Sequence, residues 1–243
     1  MFRKKAAEKL PDFYLEMDET DGIERLIFFE QYLKKLRSER EDFFKETLER
    51  VLSTCLDIPF VEDCRKLYIK KRKGKKSGKV FGAALNNYQL ARIQPLINTI
   101  RNEIHREGVF RKPGARARQK ELRDALDEGR EIPKFINVND AADLLKAYLR
   151  ELPEPVLPDA HFDTHIAIAD MNCADGGLDK RRRIATLQAL YLCLPDVNRM
   201  ALRMLLQLLH SVARMQDENR MNASSLATVF LPALLVSILR IKL

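Results

Sequence analysis

The stretch LLKAYLRELPEPVL (Leu144–Leu157) decides the fold class. Leu144, Leu145, Tyr148, Leu149 and Leu152 recur at three- and four-residue steps, which places them on one face of a helix. Lys146 and Arg150, four apart, share another face. Pro153 and Pro155 end the helix, because proline has no N–H to donate and disfavours helical geometry in the residue before it. Upstream, Asn139 or Asp140 is the expected N-cap. An apolar face this wide needs other elements to cover it.

Working outward, the same period recurs. Ala115–Leu126 reads as a helix stopped by Gly129, with Leu122, Ala125 and Leu126 on one side. Arg182–Leu194 and Arg199–Met215 read as two more, broken and restarted by LPDVN (Leu194–Asn198), and MNCADGGLDK (Met171–Lys180) reads as a polar loop before them. Toward the N-terminus, residues 20–69 also read as helices. Ile23, Leu26, Ile27, Phe29, Leu33 and Leu36 form a stripe that Phe43, Phe44, Leu48, Val51 and Leu52 continue. The heptad is not sustained, so docking onto the following domain or an αα-hairpin fits this stripe better than a coiled coil. Strand-like alternation is scarce. The expected fold is all-α: a helical bundle at 80–243, an N-terminal helical extension at 1–69 and a basic linker at 70–79.

The 243 residues are 46% hydrophobic, ordinary for a globular protein, and carry a formal charge of +8. Much of that charge lies in KKRKGKKSGK (Lys70–Lys79), whose glycines and serine mark a linker. An import receptor, anionic lipid or water alone would each suit it. No aromatic residue is interleaved there to stack on bases, so nucleic acid is not an expected partner. Cys55, Cys64, Cys173 and Cys193 lack metal-ligand spacing. His161 and His165 share an i,i+4 face without an acidic or cysteine partner, and read as partly exposed helical residues; no metal is expected. The N-terminus is charged throughout, and the longest apolar stretch, Leu226–Leu239, is short and contains Pro232. The expectation is a soluble, cytoplasmic protein, with the nucleus as a second address through the basic run.

One arginine has a setting suited to chemistry. In GVFRKPG (Gly108–Gly114), Val109 and Phe110 are apolar enough to bury and pin the turn, Arg111 then points outward, and Pro113 with Gly114 leads into the next helix. Arginine suits phosphate because its planar fork stays charged and binds two oxygens at once. Taken alone, an arginine in such a loop is more often an ordinary surface residue than a catalytic one. Lys146 and Arg150 likewise fit a solvated face, two cations on one side that repel slightly with no acid between them, or a brace for the arginine loop.

Taken together, GVFRKPG and LLKAYLRELPEP resemble the catalytic loop and second helix of Rho GTPase-activating (RhoGAP) domains, over roughly residues 80–235. NRMNASSLATVFLPALL (Asn219–Leu235) resembles the family's third signature but departs from it twice. Ser225 stands where the family usually has asparagine, and Leu231 where it has glycine. The resemblance implies a RhoGAP-type bundle that activates a Rho-family small GTPase, RhoA-like, in its GTP form. It implies that Arg111 is the catalytic residue, supplied in trans, and that Lys146, Arg150, Asn219 and Ser225 bind the GTPase or support the loop. No cofactor is implied, since GTP and Mg²⁺ belong to the partner. Ser225 is too short to span the gap an asparagine amide would, which weakens the interface and leaves an alternative, a catalytically weak or inactive Rho-binding module. The resemblance also implies a short C-terminus, where Leu234, Leu235, Ile238 and Ile241 must supply packing that further helices give elsewhere.

Overall fold

The computed structural model describes residues 32–56, 79–133, 135–171 and 177–235, and among them every regular element is helical. Two compact units are present, Met1–Thr47 and Leu48–Leu243. Residues 32–39 are helical, and α1 (Glu41–Leu56) follows. Of the expected stripe, Phe44, Leu48 and Leu52 are buried while Phe43 and Val51 are exposed. Strict four-residue spacing keeps the first three on one line, and the other two fall off it. Phe43 instead carries the Arg40 guanidinium over its ring at 4.4 Å. The expected stripe residues before position 32, and the basic linker except Lys79, lie outside the described residues.

The bundle begins with α2 (Asn87–Asn102). The Asn86 side chain accepts from the Tyr88 and Gln89 N–H groups, satisfying two donors that the first turn leaves open. Leu90, Ile93, Leu96, Ile97 and Ile100 form its buried face. Next comes α3 (Arg116–Asp127), which stops where the sequence suggests. Gly129 takes φ +74°, and the Gly129 and Arg130 N–H groups donate back to the Leu126 and Ala125 carbonyls, the double closure that glycine permits.

At the centre is α4 (Val138–Glu151), packed against α2, α3 and the final helix. Leu144, Leu145, Tyr148 and Leu149 are buried on it as expected, with Leu152 just beyond its end. Its cap is a correction. Asn137, neither Asn139 nor Asp140, accepts from the Asn139 N–H at 2.9 Å, so the helix starts two or three residues earlier than either cap would give and Asp140 is freed to act elsewhere. A short 3-10 turn (Asp159–His161) leads into α5 (Phe162–Asp170), which packs against α6 (Gly177–Leu192). Residues 177–180, expected as loop, are helical: Leu178, Asp179 and Lys180 are helix-compatible, and the breaking glycine only opens the helix. His161 is fully buried, not partly exposed.

The longest helix is α7 (Asp196–Arg214), with Val197, Ala201, Leu202, Leu205, Leu208 and Val212 inward. Asn198 does not cap it but lies within it, where its amide donates to the Val156 carbonyl at 3.0 Å. A single turn, α8 (Gln216–Asn219), and the left-handed Arg220 reverse the chain into α9 (Ala223–Leu234), capped by Asn222. Leu234 is buried and Leu235 packs against the same core; Ile238 and Ile241 lie outside the described residues. No described helix is long and apolar enough to cross a membrane.

Candidate functional site

The loop from Glu103 to Ala115 buries its apolar pair and leaves Arg111 exposed directly after it. Val109 and Phe110 are buried, and Phe110 meets Phe230 of α9 edge-on at 4.8 Å between ring centres. Gly108 sits at φ +75° and its carbonyl accepts from both the Arg111 and the Lys112 N–H at 2.8 Å, closing a tight turn. Phe110 itself has φ +70°, a left-handed conformation that costs a non-glycine residue about 1–2 kcal/mol. Burial of its ring and a bond to its carbonyl offset that strain, and the twist turns the following side chain outward. Arg111 is exposed, and its guanidinium makes no hydrogen bond or ion pair with any described residue. Its neighbour Lys112 pairs with Glu107 at 3.3 Å.

α4 supplies the support. Lys146 Nζ donates to the Phe110 carbonyl at 2.8 Å and lies 2.9 Å from Asp143 Oδ1, with only 15% of its side chain exposed. The acid that pairs with Lys146 lies outside the Lys146–Arg150 interval, one turn before the lysine. The other oxygen of Asp143 accepts from the Gly114 N–H and from Gln119 Nε2, each at 2.8 Å. Burial pulls the Asp143 carboxyl upward, but these donors and the Lys146 ammonium outweigh it and hold the group below the usual carboxylate range. Asp140, fully buried, accepts from the Ala115 N–H at 2.6 Å and pairs with Arg118, so it substitutes for the side-chain cap that α3 lacks. Gly114 is required beside it: a Cβ there would lie 2.2 Å from Asp140 Oδ1.

Asn219 holds the loop from behind. Wholly buried, its amide donates to the Ile104 and Val212 carbonyls at 2.7 and 2.8 Å, its side-chain oxygen accepts from the Met221 N–H, and its backbone carbonyl accepts from the Gly108 N–H. Arg150 is exposed at the last turn of α4. Ser225 is half-buried in the first turn of α9, where its N–H donates to the Asn222 side chain at 2.8 Å. The structure thus joins Arg111, Lys146 and Asn219 in one hydrogen-bonded unit. Sequence reasoning missed Asp140 and Asp143. For Asp143 the signal was legible: an acid three residues before a helical lysine is its neighbour on the helix surface. Among the described residues, no group of three or more histidine, cysteine or acidic side chains is gathered closely enough to hold a metal.

What the arrangement offers is a permanent cation at the tip of a loop whose base is fixed by burial and by side chains from two helices. Comparison with known proteins identifies the family. A RhoGAP domain matches residues 92–238. Rho GTPase-activating protein 19 of Mus musculus is 38% identical over 234 residues, which cover 84% of this chain and 47% of that protein, and its Homo sapiens counterpart is also 38% identical. The chain therefore spans about half the length of the curated relatives it matches. Among solved structures, the BH domain from GRAF, the GTPase regulator associated with focal adhesion kinase, superposes with a TM-score of 0.56 at 28% identity, over 66% of this chain and 88% of that one. Human Rho GTPase activating protein 15 superposes with a TM-score of 0.59 at 23% identity over 65% of this chain and 78% of that one, a likeness of fold. The chain belongs to the RhoGAP domain family.

Proposed function

We propose that this protein is a GTPase activator for a Rho-family small GTPase, RhoA-like, and that Arg111 is the residue it contributes in trans. The observation that carries this reading is the contrast at the loop tip: an exposed guanidinium without a described partner, set directly after a buried, strained phenylalanine. Hydrolysis of GTP builds negative charge on phosphate oxygens, and a preorganised cation brought to them lowers the barrier without reorganising during the reaction. Lys146 serves this reading as a loop brace, because its ammonium is already engaged by the Phe110 carbonyl and Asp143. GTP, Mg²⁺ and the water-positioning group belong to the GTPase, so the activator brings no cofactor of its own. By the same reading, the basic run Lys70–Lys79 is a contact for an import receptor or anionic lipid.

Single-turnover phosphate release from GTP-loaded RhoA tests the assignment. Arg111→Ala should remove most of the stimulation, about 10³–10⁵-fold for an arginine supplied in trans, while complex formation stays measurable. Stimulation equal to that of the parent would remove Arg111 from the chemistry. Ser225 favours one second reading, a weak or inactive Rho-binding module. A serine at this half-buried position reaches less far than the asparagine usual in the family, and its signature would be binding to the GTP form without faster phosphate release.

A further inference from the structure

We propose that Asp143 is a positioning residue for Arg111, the single group that locks both flanks of the arginine loop to one helix; this rests on the activator reading above. The loop residues between the two flanks are Arg111, Lys112 and Pro113. On the entry side, the Phe110 carbonyl is held by Lys146, and Lys146 is held by Asp143 Oδ1 at 2.9 Å. On the exit side, Asp143 Oδ2 accepts the Gly114 N–H and the Gln119 amide, each at 2.8 Å. One carboxylate therefore ends both chains of contact. Asp140 fixes only the exit side and Lys146 only the entry side.

The charge arrangement makes the carboxylate more than a packing group. Lys146 is largely buried, and a buried ammonium with only a neutral carbonyl for company is drawn toward water. Asp143 supplies the counter-charge that keeps it pointing at the loop. An aspartate places two acceptor oxygens in fixed relation, and a charged acceptor forms shorter, stronger bonds to N–H donors than a neutral one. That one side chain reaches both of the loop's ends, with Asp140 adding a bond at Ala115 on the exit side alone. A loop fixed at one end alone would let the guanidinium sweep, and misplacement of a reacting group by about 1 Å can cost about 100-fold in rate.

Two readouts on Asp143→Ala and Asp143→Asn test this. The first is backbone amide exchange of the free protein. In Asp143→Ala, the Arg111, Lys112 and Gly114 amides should exchange at least tenfold faster while the Leu144–Leu149 amides keep their protection. In Asp143→Asn, which retains an acceptor for Gly114 but no charge for Lys146, Gly114 should stay protected while Arg111 and Lys112 loosen. Unchanged loop exchange in Asp143→Ala, or loss of protection throughout α4, overturns the proposal without reference to any GTPase. The second is single-turnover phosphate release from RhoA over a range of activator concentration. A clamp predicts that Asp143→Ala lowers the saturating rate about tenfold, shifts the half-saturating concentration less than twofold, and is partly rescued by Asn. A change in half-saturation alone would make Asp143 an interface residue and overturn it. If the parent protein fails to stimulate hydrolysis while its loop loosens selectively in Asp143→Ala, the activator reading falls and the two-ended clamp stands.

Discussion

The arginine loop and the α5–α6 pair bury polar side chains to opposite effect. Behind the loop, both ends of the Asn219 amide and both oxygens of Asp143 are engaged by backbone groups or side chains, several of them in the loop itself. Between α5 and α6, His165 lies with its ring 6.0 Å from Tyr191 and 6.4 Å from His161, and its buried Nε2 has no hydrogen-bond partner. Burial and the neighbouring His161 push the His165 imidazole down to about 4, while burial pushes the Tyr191 hydroxyl up. The difference teaches what buried polarity does in a helical protein. Satisfied, it fixes a geometry; left unsatisfied, it ties stability to pH.

The comparison breaks most severely at Asn219. Asn219→Ala would leave the Met221 N–H and the Ile104 carbonyl without this partner, take from the Val212 carbonyl one of its two donors and open a small void, so unfolding in denaturant should show a loss of about 3 kcal/mol. A loss under 1 kcal/mol would mean that the loop is held from elsewhere. On the other side, His165 is held neutral by the fold. Its pKa is lowered in the folded state, so the unfolded chain binds more protons between about 6.5 and about 4, and stability falls as pH falls through that window. After discounting for the partial exposure of the ring, the loss should be about 1–2 kcal/mol, measured as melting against pH, and His165→Gln should flatten the slope. An equal slope in that variant would place the titration elsewhere.

The smallest effect sharpens the contrast within a single helix. Tyr148 lies on α4 beside the clamp, yet its buried hydroxyl has no hydrogen-bond partner, and burial raises its pKa well above the usual tyrosine value. Tyr148→Phe keeps the edge-on packing with Phe81 and removes an orphaned oxygen, so it should be neutral or stabilising by up to about 1 kcal/mol. A thermal melt showing clear destabilisation would reveal a water or contact that satisfies the hydroxyl.

Much of the architecture was legible because helical period is a local property. The Leu144–Leu152 stripe, the stop at Gly129 and the burial of Val109 and Phe110 follow from residue type and spacing, and the structure agrees with each. Where the reading of Asp140 and Asn198 failed, the deciding contact lay far along the chain. Asp140 reads as a helix cap until Ala115, 25 residues earlier, claims its oxygen. Asn198 reads as a break until Val156 accepts its amide, and His161 reads as exposed until α5 and its surroundings close over it. The sequence by itself determined that this is an all-α chain with an arginine at the tip of an apolar turn and a basic, proline-terminated helix to follow. Only the tertiary structure decided that Asp143 neutralises Lys146, that Lys146 holds the loop, and that Asn219 closes it from behind. Hydrophobic periodicity is written in neighbouring residues, whereas the partner of a buried charge is chosen by which helices meet.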